Sequence, residues 1–351
     1  MHKTRQSFVD VVLSLAIFFL VAISIGVLRS ISQSIFPVYF IYILTGFAIY
    51  FMFSKFDFNI LVVFYKHIYV FSIILLLLPL LIGEITRGAV RWIPLGAVAI
   101  QPSEIVRPFL VLFFAVYLNQ GTLTFTRLIK SGLSLVLPVF LIIVQPSLGV
   151  AVLTTVAFLG VLLSSSINKK YIFTLGAFFI AIVPLLWFVM APYQKVRILT
   201  FINPSTDPLG SGYNSIQSII SVGSGRVIGR GLGKGVQTQL AFLPEKHNDF
   251  ILASVAEELG FVGTTLLVLS FFALLWRLTV FLEIAQNPIA RSYVSGIFLV
   301  LFFQVFFNIG MNMGLFPITG IPLPLVSAGG SSFLATMTAL GIANNTRRKS
   351  N

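Results

Sequence analysis

Long apolar runs recur along this chain, from one around 11–28 to one around 324–343. The longer of them can cross the roughly 30 Å hydrocarbon layer of a bilayer. About ten spans can be drawn, at 11–28, 35–54, 67–83, 104–118, 132–145, 148–166, 171–190, 259–281, 293–315 and 324–343. Inside lipid every backbone N–H and C=O must be satisfied within the protein, so such spans are expected to be helices. The rest of the composition agrees: 57% of the residues are hydrophobic and 9% charged, which excludes a water-soluble globule of 351 residues. The first run follows His2, Lys3 and Arg5 as a signal peptide would. No small-residue cleavage site precedes a soluble domain and another span follows, so it reads as a retained helix.

The net charge of +13 belongs to loops at a lipid surface and does not point to nucleic acid. With the amino terminus inside, thirteen of the 23 basic residues fall in short cytoplasmic segments. Six of the remaining ten sit in one long loop, and long loops are largely exempt from the positive-inside bias. Both termini are therefore expected in the cytoplasm. The chain has no cysteine, so disulfide and thiolate chemistry are excluded. The expected fold is an all-α integral membrane protein, one polytopic domain over 1–351, with a large folded extracytoplasmic loop, 191–258, between the seventh and eighth helices.

A structureless loop of that length is unusual unless functional or disordered, and its composition is not that of a disordered segment. Within it, SVGSGRVIGRGLGKG (221–235) sets six glycines among Arg226, Arg230 and Lys234. Glycine at every second position from 229 to 235 opposes a helix and favours a tight ordered loop. Two readings stand. Backbone N–H groups and cations could hold a phosphate, or the glycines could allow close packing while the cations face lipid headgroups.

FLPEKHNDFILASVAEELG (242–260) holds four of the ten acidic residues and one of the three histidines. Pro244 stops a helix, and the apolar face beginning at Phe250 starts one near Asn248 or Asp249. Asp249 can then be a helix N-cap, or a base whose proton affinity is raised by partial desolvation. Glu257 lies about 12 Å further along a helix, beyond the roughly 5 to 9.5 Å spacing of paired glycosidase carboxylates. Glu257 and Glu258 read as helix-end charges at the interface, and His247 as a hydrogen-bonded loop residue.

ITRGAVRWIPLGAVAIQPSEIVRPF (85–109) joins the third and fourth spans on the same face. It places Arg87, Arg91, Glu104 and Arg107 at or inside the membrane edge, where ionisable groups line a cavity or pair with one another. Glu104 and Arg107, three apart, share a helix face and can neutralise each other.

Together these stretches resemble the SEDS family of bacterial membrane glycosyltransferases over nearly the whole chain. RGAVRWIPLGAVAIQPSEIVR looks like its RGA-x-RWI and QPSE motif, and YQKVRILTFINPSTDPLGSGYNSIQSIISVGSG like its loop motif. FLPEKHNDF looks like its LPE-x-HTDF stretch and FPITGIPLPLVSAGGSSFL like its final signature. GKGVQTQLAFLPEKH and TGIPLPLVS look more like the elongation branch, RodA, than the division branch, FtsW. Four positions depart from the pattern: Arg107 for a usual Lys, Asn248 for Thr, Ser147 for Asp and Ala328 for Tyr.

The resemblance implies polymerisation of lipid II into glycan strands on the outer face of the bacterial plasma membrane, with a class B penicillin-binding protein as partner. It implies Asp249 as the catalytic base. It also implies a substrate-binding set of Arg87, Arg91, Trp92, Gln101, Ser103, Glu104, Arg107, Arg197, Lys234, Glu245 and His247. The lipid pyrophosphate is a competent leaving group once its charge is neutralised, by these cations or by a divalent ion such as Mg or Mn. Two rivals are a flippase of lipid-linked precursors and a non-catalytic scaffold. A flippase should carry ionisable groups near mid-bilayer and repeat symmetry, whereas here the charges gather at one face.

Overall fold

The computed structural model describes residues 9–86, 89–96, 98–121, 124–165, 192–203, 212–285 and 287–347. The span drawn at 171–190, the N-terminal basic residues and Arg87 lie outside them.

The chain begins with helices α1 (Val11–Ile31), α2 (Phe36–Lys55), α3 (Phe58–Val63) and α4 (Tyr65–Ile82). Asp10 caps α1 by accepting from Leu13 N–H at 3.0 Å. A three-stranded antiparallel meander follows, β1 (Glu84–Thr86), β2 (Ala89–Leu95) and β3 (Val98–Ile100). It is the one departure from an all-α fold among the described residues. It sits where the sequence reading left the third connector unassigned. Tyr42 of α2 pins its end, donating its hydroxyl to Ala99 O at 2.7 Å and accepting from Ala99 N at 2.9 Å.

The fourth span is two helices, α5 (Pro102–Ile105) and α6 (Arg107–Asn119), followed by α7 (Phe125–Val144) and α8 (Leu148–Ser164). Three helices then belong to the long loop: α9 (Pro192–Ile202), α10 (Tyr213–Ser224) and α11 (Val236–Gln239). The chain closes with α12 (Ile251–Ile284), α13 (Pro288–Asn312) and α14 (Gly330–Asn345). Among the described residues seven helical segments are long and apolar enough to cross a membrane, and α8 falls one residue short of that length. α13 packs closely on α8: a Cβ added at Gly160 would lie 2.7 Å from Ser295 O and 2.9 Å from Gly296 Cα. Small residues at such crossings let transmembrane backbones approach.

Two expected spans differ in shape. The last was drawn from 324, but the helix begins at Gly330 and 315–329 form a loop. A hydropathy window reads LPLV as membrane and does not weigh the prolines and glycines that bend the backbone there. The eighth begins at Ile251 rather than 259 and breaks at Gly260, whose φ of 68° and ψ of −163° only glycine adopts readily.

A break in a helix strands carbonyls and amides on either side. Here the glycine-rich loop takes them. Arg230 N and Gly231 N donate to Glu257 O and Glu258 O at 2.9 and 3.0 Å; Phe261 N and Val262 N donate to Arg226 O and Val227 O at 2.9 and 3.0 Å. A Cβ at Gly225 would lie 1.8 Å from Ala256 O, and one at Gly229 2.2 Å from Glu258 O. Close packing therefore accounts for these glycines, and Arg226, Arg230 and Lys234 all point outward as exposed side chains.

The same hook corrects the expectation for the two glutamates. Glu257 and Glu258 sit at the helix end before the break, as expected, but they are fully buried rather than surface charges. Glu257 accepts from Gln237 N and Thr238 N at 2.8 and 3.0 Å, capping α11. Glu258 accepts from Ser30 Oγ of α1 at 2.7 Å, Gln239 Nε2 at 3.0 Å and Gly233 N at 3.1 Å. Buried carboxylates persist when several donors surround them.

Candidate active site

Residues 245–250 form a turn that opens at Glu245, a non-glycine residue with φ of 50°. Asn248 N and Phe250 N both donate to Glu245 O, at 2.9 and 3.3 Å. Asn248, one of the departures from the motif, uses its amide to donate to the Glu245 carboxylate at 2.9 Å. That carboxylate lies 4.0 Å from His247 Nε2. Lys246 donates its ammonium to Thr238 O, binding the turn to the hook. Burial pushes the Lys246 ammonium below the usual lysine value, against the pull of Glu258 and Glu257.

Asp249 is partly exposed. The N-cap position of α12 falls one residue later, at Phe250, which makes no side-chain cap bond. What fixes Asp249 is its carbonyl, which accepts from Asn308 Nδ2 at 3.2 Å and Asn312 Nδ2 at 3.0 Å, both on α13. Asn312 also accepts from Ala253 N at 3.1 Å, and Asn308 donates to Ile321 O at 2.9 Å. Neither asparagine was singled out from the sequence. The signal was there: two amides four apart in an apolar helix share one face.

The loop before α14 joins this turn to the second cluster. Ser327 donates to Asn248 O at 2.7 Å and Ala328 N to His247 O at 2.8 Å. Ala328, another departure, works here through its backbone. Gly320 faces Asp249, since a Cβ there would lie 3.7 Å from Oδ2. On its other side the loop touches the start of α8, where a Cβ on Gly149 would be 3.3 Å from Thr319 O. Ser147, just before α8, accepts from Gln101 Nε2 at 3.2 Å, and Gln101 also donates to Ser103 Oγ at 3.0 Å. Gln101 N donates to Ser331 Oγ at the head of α14, at 2.8 Å. Ser147, standing where the motif has Asp, is thus a buried neutral partner for Gln101.

Glu104 and Arg107 form an ion pair at 2.7 Å with side chains 5% exposed each. Arg91 and Trp92 lie on β2, with Trp92 opposite Glu84 in register. Arg197 lies on α9 and Lys234 on the exposed side of the hook. The structure therefore gathers Asp249, Glu245 and His247 on one side of the 318–331 loop and Gln101, Ser103, Glu104 and Arg107 on the other. Among the described residues no group of three or more His, Asp or Glu comes together to hold a metal. Mg often needs only one or two carboxylates beside substrate phosphates, so this bears on an all-protein cage alone.

The sequence model of FtsW, RodA and SpoVE, described as "Cell cycle protein", matches residues 5–351. This chain belongs to that family. It is similar to the peptidoglycan glycosyltransferase MrdB of Escherichia coli K12, 41% identical over 280 residues, covering 79% of this chain and 75% of that protein. It is also similar to the stage V sporulation protein E of Bacillus subtilis, 37% identical over 289 residues, covering 80% and 77%. Among solved structures, a chain from a peptidoglycan synthase complex that coordinates polymerisation and crosslinking matches with a TM-score of 0.82. That match has 28% identity and covers 97% of each chain. The rod shape determining protein RodA of Thermus thermophilus matches with a TM-score of 0.73 at 25% identity, covering 97% and 98%. The bundle seen in this family member is thus the RodA fold, and its clusters can be read as parts of a membrane glycosyltransferase.

Proposed function

We propose that this peptidoglycan glycosyltransferase polymerises lipid II at the outer face of the plasma membrane, with Asp249 as the base. The Asp249 carboxylate removes the proton of the acceptor sugar's 4-hydroxyl. The oxygen attacks the anomeric carbon of the donor strand, a glycosidic bond forms, and the bond to the lipid pyrophosphate breaks with both electrons leaving on phosphate oxygen. Arg87, Arg91 and Arg107, with Lys234 or a divalent ion, neutralise that departing charge. The observation that carries this reading is the anchoring of Asp249: its backbone is clamped by Asn308 and Asn312 while its side chain stays partly open beside Gly320. Such a carboxylate is both positioned and reachable. The long loop then lies outside and both termini inside, and a class B penicillin-binding protein crosslinks the strands made.

The test is polymerisation of labelled lipid II by protein reconstituted in liposomes. Asp249→Asn and Asp249→Ala should both lose activity at equal protein levels, and polymerisation at the parental rate by either would refute the base. Arg107→Ala should lose activity that Arg107→Lys keeps. Equal activity of parent, Arg107→Ala and Arg107→Lys would reduce the Glu104 pair to a structural one.

A further inference from the structure

α13 carries a third buried amide in line with the two that clamp Asp249. Gln304, Asn308 and Asn312 lie four apart, hence on one face, and all three are fully buried. Gln304 differs from the other two in how its amide is used. Every side-chain bond of Asn308 and Asn312 described above is made within the protein, whereas neither Gln304 Nε2 nor Gln304 Oε1 has a hydrogen-bond partner there. Gln304 lines a small cavity with Arg107, Pro108, Leu301, Thr336 and Ala339. Arg107 Nη1, the terminal nitrogen that does not pair with Glu104, is also buried without a partner.

Two donors and one acceptor left open around one cavity demand a ligand, because a buried polar group without a partner costs about 1–3 kcal/mol. Size decides which. The space between these side chains is small, about the room of one water. We propose that one ordered water bridges Arg107 and Gln304, and that Gln304 is thereby a positioning residue for the Arg107 guanidinium. The water accepts from Arg107 Nη1 and Gln304 Nε2 and donates to Gln304 Oε1. One helix face then sets both the height of Asp249, through Asn308 and Asn312, and the orientation of Arg107, through Gln304.

The catalytic half of this inference rests on the role given to Arg107 above; the bridge itself does not, so two readouts are needed. In thermal unfolding of the purified full chain, Arg107→Met and Gln304→Met should each lower the midpoint. Their double variant should lose less than the sum, since each alone already breaks the bridge. In the liposome assay, Gln304→Met should lower kcat about tenfold with KM little changed, the size of one charge-assisted hydrogen bond. Gln304→Glu, which keeps an acceptor of the same length, should recover most of that loss. Gln304→Asn, which retracts the amide, should fall between and serves if the methionine variant does not accumulate. Additive unfolding shifts would overturn the bridge whatever the activity. Non-additive shifts with a parental kcat in Gln304→Met, or a loss that Gln304→Glu fails to recover, would overturn the positioning role.

Discussion

Asp249 and the Glu257–Glu258 pair belong to one short stretch of sequence, yet their surroundings are opposite. The two glutamates are fully buried and between them accept five hydrogen bonds, three of them from backbone N–H groups of the glycine hook and α11. Asp249 keeps a partly exposed carboxylate while its carbonyl is held by two asparagines. A buried carboxylate held by several donors of the fold serves the fold; a partly exposed one whose backbone is clamped is placed where a substrate can reach it.

That contrast can be broken in graded ways. The largest effect should come from Asp249→Asn, which loses polymerisation by about 10³-fold, within the usual range for a general base, while its unfolding midpoint stays near the parent's. Gly260→Ala should follow. A methyl there meets Gly229 N at 2.1 Å and forces a non-glycine residue into a forbidden region, so thermal unfolding should show a loss of about 3 kcal/mol or more. Glu257→Gln removes the charge that two backbone N–H groups of α11 depend on, and should cost about 2 kcal/mol of stability with kcat scaled only by the folded fraction. A glutamate variant that kept its stability and lost activity would reverse the assignment.

The smallest effect concerns pH. Burial disfavours charged Lys246, so its folded value lies below the free 10.5. Below the folded value the lysine is protonated folded and unfolded, and the folded state bears the full burial penalty. As pH rises between the two values that penalty fades, so stability should rise slightly toward pH 10.5, and Lys246→Met should flatten the rise.

Much of this was legible in sequence because its physics is local. Apolar runs announce helices, and the motif stretches marked Asp249, Gln101 and Arg107 as candidates. The Glu104–Arg107 pair followed from a spacing of three. The break at Gly260 and the burial of Glu257 and Glu258 were hidden because they depend on a loop some thirty residues earlier folding back onto the helix. Sequence spacing cannot show a hydrogen bond to a distant backbone. The meander was missed because strands of three, seven and three residues leave too short a pattern. Gln304, Asn308 and Asn312 were overlooked as single polar residues in an apolar span, although polar groups at such depth are costly and call for a partner.

The hook over Gly260 also bears on how the molecule opens. Residues 251–259 and the 226–240 loop share backbone bonds across the break, so neither can loosen alone. They should exchange their amide hydrogens as one cooperative unit, with Phe261 and Val262 as slow as a continuous helix despite sitting at its interruption. The turn bearing Asp249 begins at one end of that unit, so the local opening free energy of the hook sets how often the turn departs from its place.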